Sequence, residues 1–296
     1  MSTPTHASLV VNNLEYVEET DGAYGVMPTN PTMLFLAQTA KWSPSMDVGA
    51  DEFRRLGSED VFKILQKKQL FKSSLEFAIA NSMFIKYGIN AIGGGAGSID
   101  KSLSLGMSVK LAGTTNYITL LGTRISSIKL SGNPDKAALS VTAELQHSSI
   151  TTPTTGDYKG TGAHASADTN PPWTYYDGGV NPITWGSALP VEDINVTIER
   201  TLSQKWVMGS QTAKYQLPVK RGIKGDLTQE WLSTTQEAAL KLNTRQNLTW
   251  VLKTGVSTLT ITNASLTALT DRTIDADADE TIVEKYTIDG EAIAVT

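Results

Sequence analysis

The sequence predicts a mainly β, antiparallel chain in two similar halves, and three observations predict it. Apolar residues alternate with small or polar ones through most of the chain. Helix-period segments are few and short. Matching features recur in the same order at a nearly constant spacing.

The strand signals come first. In Ser102–Leu111 the residues Leu103, Leu105, Met107, Val109 and Leu111 alternate with small or polar neighbours, and residues 116–121, 125–130 and 138–145 read alike. So do 193–199, 248–252 and 257–261. A period of two, rich in β-branched residues, gives a strand with one face on a core and one toward solvent. Such strands suit antiparallel pairing, because parallel strands are apolar on both faces.

Two short helices are expected. Thr234-Thr-Gln-Glu237 has the form of a capping box ahead of Ala238–Leu242. Asn81–Tyr87 is an apolar helical run that Gly88 should end. Residues 58–66 fit either a helix face or one arm of a long hairpin. Residues 151–190, rich in Thr, Gly, Pro, Ala and Asp around an aromatic knot at Trp173–Tyr176, read as a linker or surface insertion.

The halves repeat around that segment. Tyr24-Gly-Val-Met-Pro28 matches Trp185-Gly-Ser-Ala-Leu-Pro190. Lys68–Leu75 matches Lys220–Leu227, with Lys72 in the place of Lys224. Leu120 matches Ile261, and Leu139–Leu145 matches Ile282–Ile288, both at a slightly shorter offset than Lys72 and Lys224. Unequal loops account for the drift.

Composition excludes several classes of function. The 296 residues are 40% hydrophobic, enough for a core. With no cysteine there is no disulfide, thiolate metal site or cysteine nucleophile. A net charge of −5 argues against tight nucleic-acid binding, where phosphate neutralisation dominates. Neither a signal peptide nor a run of about 20 apolar residues is visible, so a cytosolic origin and no membrane anchor are expected.

Catalytic and cofactor motifs fail on their own chemistry. Gly93–Ser102 resembles a phosphate loop, but Asp100 stands before Lys101 and would repel phosphate. Asp275-Ala-Asp277-Ala-Asp279 opens like a calcium loop, yet Glu280 and Tyr286 occupy the positions that need Gly and Glu. His6, His147 and His164 lack a nucleophile motif. No cofactor, metal or catalytic residue is therefore expected. Trp173, Tyr175 and Tyr176 leave one alternative open, a carbohydrate-binding β-sandwich module or virion decoration protein.

Glu18-Glu-Thr-Asp-Gly-Ala-Tyr24-Gly25-Val-Met-Pro28 resembles the N-terminal arm of tail tube proteins of tailed viruses. Leu217–Leu227, a helix, and Leu259–Leu266 resemble the same family. The arm departs from the family pattern by the inserted Asp21-Gly22. The resemblance implies two tandem tail-tube-type β-barrels or sandwiches, each with one short flanking helix. The expected organisation is an arm over 1–40, tube domains over 41–150 and 191–296, and a linker over 151–190. It also implies self-assembly into stacked rings, trimeric and pseudo-hexameric or hexameric. The expected partners are a tape-measure protein, tail terminator or baseplate proteins, and double-stranded DNA that passes through without tight binding.

Two groups of residues stand out as candidate subunit contacts. Residues 46–67 read as a protruding loop or hairpin carrying Phe53, Leu56, Phe62 and Ile64, apolar residues better placed in a ring than on a free surface, or else as ordinary packing beneath the chain's own barrel. The basic residues Lys68 and Lys72, and Lys220, Arg221 and Lys224, contrast with an acidic C-terminal stretch containing Asp275, Asp277 and Asp279. Charge complementarity at ring contacts is one reading of them, and a solvated face of mixed charge is the other.

Overall fold

A computed structural model describes residues 10–20, 24–36, 40–54, 61–89, 101–111, 114–151, 154–166, 170–180, 182–230, 234–273 and 282–296. The first part of the chain holds β1 (Val10–Glu18), β2 (Leu34–Phe35), β3 (Ala40–Arg54), β4 (Val61–Ala78) and α1 (Met83–Ile89). These are followed by β5 (Leu103–Leu111), β6 (Thr114–Gly132), β7 (Ser140–His147) and β8 (Ser149–Ile150). A 3₁₀ turn at Tyr175–Gly178 leads to β9 (Ile183–Trp185), β10 (Ser187–Ala188), β11 (Val191–Lys205), β12 (Tyr215–Glu230) and α2 (Thr235–Lys241). The chain then adds β13 (Arg245–Lys253), β14 (Ser257–Thr273), β15 (Val283–Gly290) and β16 (Ala292–Val295). The chain is mainly β, and every ladder between its strands is antiparallel.

The pairing order of the first part is β2-β1-β5-β6-β7-β4-β3, with β8 also on β6. The second part runs β10-β9-β13-β14-β15-β12-β11, with β16 also on β14. The registers correspond as well. Leu75 opposes Ala143, and Leu227 opposes Tyr286. Leu105 opposes Leu120, and Leu248 opposes Ile261. These pairs keep the offsets read from the sequence. The ladder shifts between Ile125 and Ser127 in β6 and between Leu266 and Ala268 in β14, at the same offset as Leu120 and Ile261. Each strand therefore bends at the same place.

The two ladders meet at one seam, where β11 pairs with β6 from Ile194↔Gly132 to Glu199↔Ser127. A single apolar core runs beneath both, from Leu14 and Tyr16 to Ile293 and Val295. Among the described residues the sheet stays open, with β10, β2 and β3 at its margins. The expected barrel closure is therefore not a feature of the single chain, because no strand among those residues remains to join the margins.

One open reading is decided and two local expectations need correction. Residues 61–66 belong to β4, so the ambiguous segment is a hairpin arm and not a helix. Helix α1 runs through Gly88 to Ile89. Gly88 serves packing there: a Cβ would stand 3.0 Å from Ile128 Cγ2. Helix α2 starts at the expected Thr234, but no side-chain bond caps it. Glu237 turns instead to Lys241 (2.8 Å) and Arg272 (3.0 Å), where a full counter-charge outweighs a single backbone N–H.

The Tyr24/Trp185 match is also displaced. Trp185 opposes Leu248, whose counterpart Leu105 opposes Tyr16. Tyr16, not Tyr24, thus holds the equivalent place. Tyr24 lies off the sheet and donates its hydroxyl to Gly122 O at 2.9 Å. Within 151–190, Trp173 is buried and is tied by backbone hydrogen bonds to Ile79 (2.6 Å) and Leu139 (2.8 Å).

Candidate assembly surface

Both long hairpins outrun the sheet that carries them. Among the described residues β4 pairs with β7 only over Phe71–Ala78, so its stretch from Val61 to Leu70 has β3 as its one strand partner there. Among the same residues β12 pairs with β15 only over Ile223–Glu230, which leaves Tyr215–Gly222 with β11 alone. A hairpin of this length projects from its sheet, and its edges are free to meet something else.

The β11–β12 hairpin meets the first part of the same chain. Arg200 Nη1 donates to Tyr87 O at 3.3 Å, and Arg221 Nη1 donates to Ile89 O at 2.8 Å. The two guanidinium groups thus cap the last carbonyls of α1, at the negative end of its dipole. Burial lowers the pKa of Arg200 to about 10, and burial together with the nearby Arg200 charge lowers that of Arg221. Both groups remain charged at neutral pH. Further along, Gln211 O accepts Gln69 N–H at 2.9 Å, Ala213 O accepts Ser148 Oγ–H at 3.0 Å, and Gln216 Nε2 donates to His147 O at 3.3 Å.

The basic residues singled out from the sequence lie on these two hairpins. Lys68 and Lys72 are exposed on β4, and Lys220, Arg221 and Lys224 are exposed on β12. Lys68 Nζ lies 4.3 Å from the centre of the Trp206 ring, a cation–π contact across the two parts. Arg200, Pro218, Val219, Lys220 and Arg221 line a shallow cleft of about 310 Å³. Ile64 is 60% exposed, as expected of a hairpin awaiting cover. Phe53 and Phe62 occupy strand positions in β3 and β4. Leu56, Asp275, Asp277, Asp279 and the Gly93–Gly97 run lie outside the described residues. The structure therefore places the basic residues on the two projecting hairpins, and the acidic group expected to face them lies outside the described residues.

His147 and His164 are structural, and His6 lies outside the described residues. His147 is buried between Ser73 Oγ (2.7 Å from Nε2) and Thr123 Oγ1 (2.8 Å from Nδ1). Thr123 gives its own proton to Leu120 O (3.4 Å), which assigns Nδ1–H as donor and Ser73 O–H as donor to Nε2. Burial lowers the His147 pKa to about 3. Ser73 is only 2% exposed, so this Ser–His pair has no route to a substrate. His164 bridges Glu15 (3.0 Å) and Asp157 (3.1 Å), holding the segment after β8 against β1. Among the described residues no group of three or more His, Cys, Asp or Glu could hold a metal ion. No helix there is long and apolar enough to cross a membrane.

The aromatic knot does not form a platform. Trp173 is in the core and Tyr175 donates its hydroxyl to Val191 O. Tyr176 is 70% exposed. Sequence reasoning missed Arg200 as a contact residue. Its signal was positional, since it follows the alternating Ile194, Val196 and Ile198 onto the same buried face.

A sequence model of the family described as phage tail tube protein matches residues 12–292. No curated protein matches the chain.

Proposed function

The chain belongs to the phage tail tube protein family, and from that premise we propose that its copies close into rings whose stacking forms a hollow conduit for double-stranded DNA. It is a structural component of the virion tail. Its work is assembly: around a tape-measure protein, between a tail terminator at one end and a baseplate at the other, after synthesis in the host cytoplasm.

The observation that carries the reading is the shared pairing order of the two ladders. It supports two tandem tube-type domains, residues 41–150 and 191–296, behind an arm over 1–40 and joined through 151–190. Three such chains supply six similar positions, so the ring is trimeric and pseudo-hexameric. A closing ring uses one heterologous contact repeated around an axis, and stacking uses a second contact that does not close. A lumen without excess positive charge lets DNA slide, since cationic walls would hold phosphates. The net charge of −5 fits such a wall.

Lys68, Lys72, Lys220 and Lys224 then meet acidic segments of neighbouring copies, Asp275, Asp277 and Asp279 among them. Opposed charges at such contacts set orientation more than affinity. Reversing the four lysines to Glu should block tube growth, and unchanged growth would discard the charge pairing. For the ring itself, negative-stain electron microscopy at rising protein concentration is the test. Six-lobed end-on views with threefold modulation are expected. A particle that stays a monomer throughout, with and without a tail-tip initiator complex, would overturn the ring.

A further inference from the structure

We propose that the outer edge of β3, at Ser43–Asp47, pairs antiparallel with β14 at Ala268–Thr273 of a second copy of this chain. The partner follows from the ring reading above, and the seam is what is added to it.

The chain contains one such seam internally. β11 lies against β6, with Thr197 opposite Lys129. β3 is the counterpart of β11: Trp42 opposes Leu75 as Ile194 opposes Leu227, and both matches keep the offset of Lys72 and Lys224. β14 is the counterpart of β6, by the registers and the shared bulge. Yet β3 pairs only with β4, and beyond Ser265 β14 pairs only with β15, among the described residues. Each chain therefore presents both sides of a second seam without joining them.

Burial points the same way. On β11 the alternate residues Ile194, Val196 and Ile198 are fully buried, packed in the core where the seam forms. Their counterparts are Trp42, Pro44 and Met46. All three are apolar, yet Trp42 is half-buried, Pro44 is exposed and Met46 is 62% exposed. A long edge strand with uncovered apolar residues invites another strand. Pro44 costs the seam at most one ladder bond, and it discourages pairing with a wrong partner.

The register follows from the internal seam. Lys129 sits opposite Thr142, and Asp271 sits opposite Lys285, the counterpart of Thr142. Thr197 is the counterpart of Ser45, by the same offset that relates Ile194 to Trp42. Ser45 of one copy thus faces Asp271 of the next, and the extra Thr270 is taken up as the bulge it already makes against β15.

The chain has no cysteine, so a single introduced pair reports one contact. Cross-strand neighbours lie at about 4.5–5.5 Å between Cα atoms, within disulfide range. Full-length chains carrying both Ser45→Cys and Asp271→Cys, at exposed positions, are assembled, oxidised and run on a non-reducing gel. The control pair is Ser45→Cys with Lys285→Cys, one strand further from the seam. The first pair should give linked dimers and trimers in at least tenfold excess over the control, all reversed by reductant. Linked chains without rings in the microscope would support the seam and overturn the ring. Rings without linkage would keep the ring and overturn the seam. Linkage within a single chain, with no higher species, would also overturn the seam.

Discussion

The carboxylate of Glu19 accepts the backbone N–H of Gly122 at 2.7 Å, tying the stretch after β1 to the middle of β6. The same oxygen accepts Ser104 Oγ–H at 2.8 Å. The other accepts Gly25 N–H at 2.7 Å and Ser102 Oγ–H at 2.5 Å. Four donors converge on one buried group, so the negative form is fully hydrogen-bonded where it would otherwise be costly to bury.

Glu19→Gln should therefore destabilise the chain although it keeps the shape. Its NH₂ group would face a donor in place of an acceptor. The expected loss is about 2–3 kcal/mol, read as a lower urea midpoint with an unchanged slope. No change in midpoint would mean that the cluster is not intact in solution.

Gly122 (φ +59°) and Asn263 (φ +50°) hold equivalent left-handed positions in β6 and β14, at the offset that relates Leu120 to Ile261. They should answer differently to substitution. A Cβ on Gly122 would stand 2.6 Å from Ser148 Cβ and 2.7 Å from Tyr24 Cζ. Gly122→Ala should cost about 2–4 kcal/mol, from backbone strain plus displaced packing. Asn263→Gly should fall within about 0.5 kcal/mol, because it trades an exposed bond to Glu291 for backbone ease. Equal losses at the two sites would contradict the difference in packing around them.

His147 makes stability depend on pH. Its folded pKa of about 3 lies below the unfolded value of 6.5. The neutral ring's contribution is complete above pH 6.5 and is lost as the pH falls toward 3, at up to about 1.4 kcal/mol per pH unit. Between pH 7.5 and 5 the wild type should lose about 2 kcal/mol. His147→Gln should be less stable at pH 7.5 but lose much less over that interval. Parallel pH profiles for the two chains would assign the titration elsewhere.

One corner of the core is built differently in the two parts. Ile85, Leu130 and Val141 are fully buried and apolar. Their counterparts Glu237, Arg272 and Glu284 form an ion-paired cluster, with Tyr286 OH on Glu284 at 2.6 Å. Arg272→Ala should lower the melting temperature, since it strands the buried Glu284 carboxylate. The triple change Glu237→Ile, Arg272→Leu and Glu284→Val should recover the wild-type value or exceed it. A triple variant less stable than Arg272→Ala would show that the ions add more than an apolar corner could.

The strand segments within β5, β6, β7, β11, β13 and β14 and the repeat offsets were legible in the sequence because each rests on local alternation and on similar residues at fixed separations, whereas the pairing order was not. Leu75 and Leu227, or Leu120 and Ile261, could be matched without coordinates. The Tyr24/Trp185 match misled because it compared residue types without knowing which strand each would pair with. The capping box at Thr234–Glu237 misled for a related reason. Its Glu had a stronger partner in Arg272, far along the chain, that no local pattern reveals.

Of the candidate surface, the sequence identified the basic residues and the projecting hairpin, since charge and uncovered apolar residues are visible without a fold. It could not say that the second hairpin already lies on the first part of the chain, nor that β3 has no such partner among the described residues. By itself the sequence determined a mainly β chain and its resemblance to tail tube proteins, because alternation and composition are properties of neighbouring residues. Only the tertiary structure decided which edges are satisfied and which remain open, because a strand edge is closed by backbone groups brought from far along the chain or from another copy.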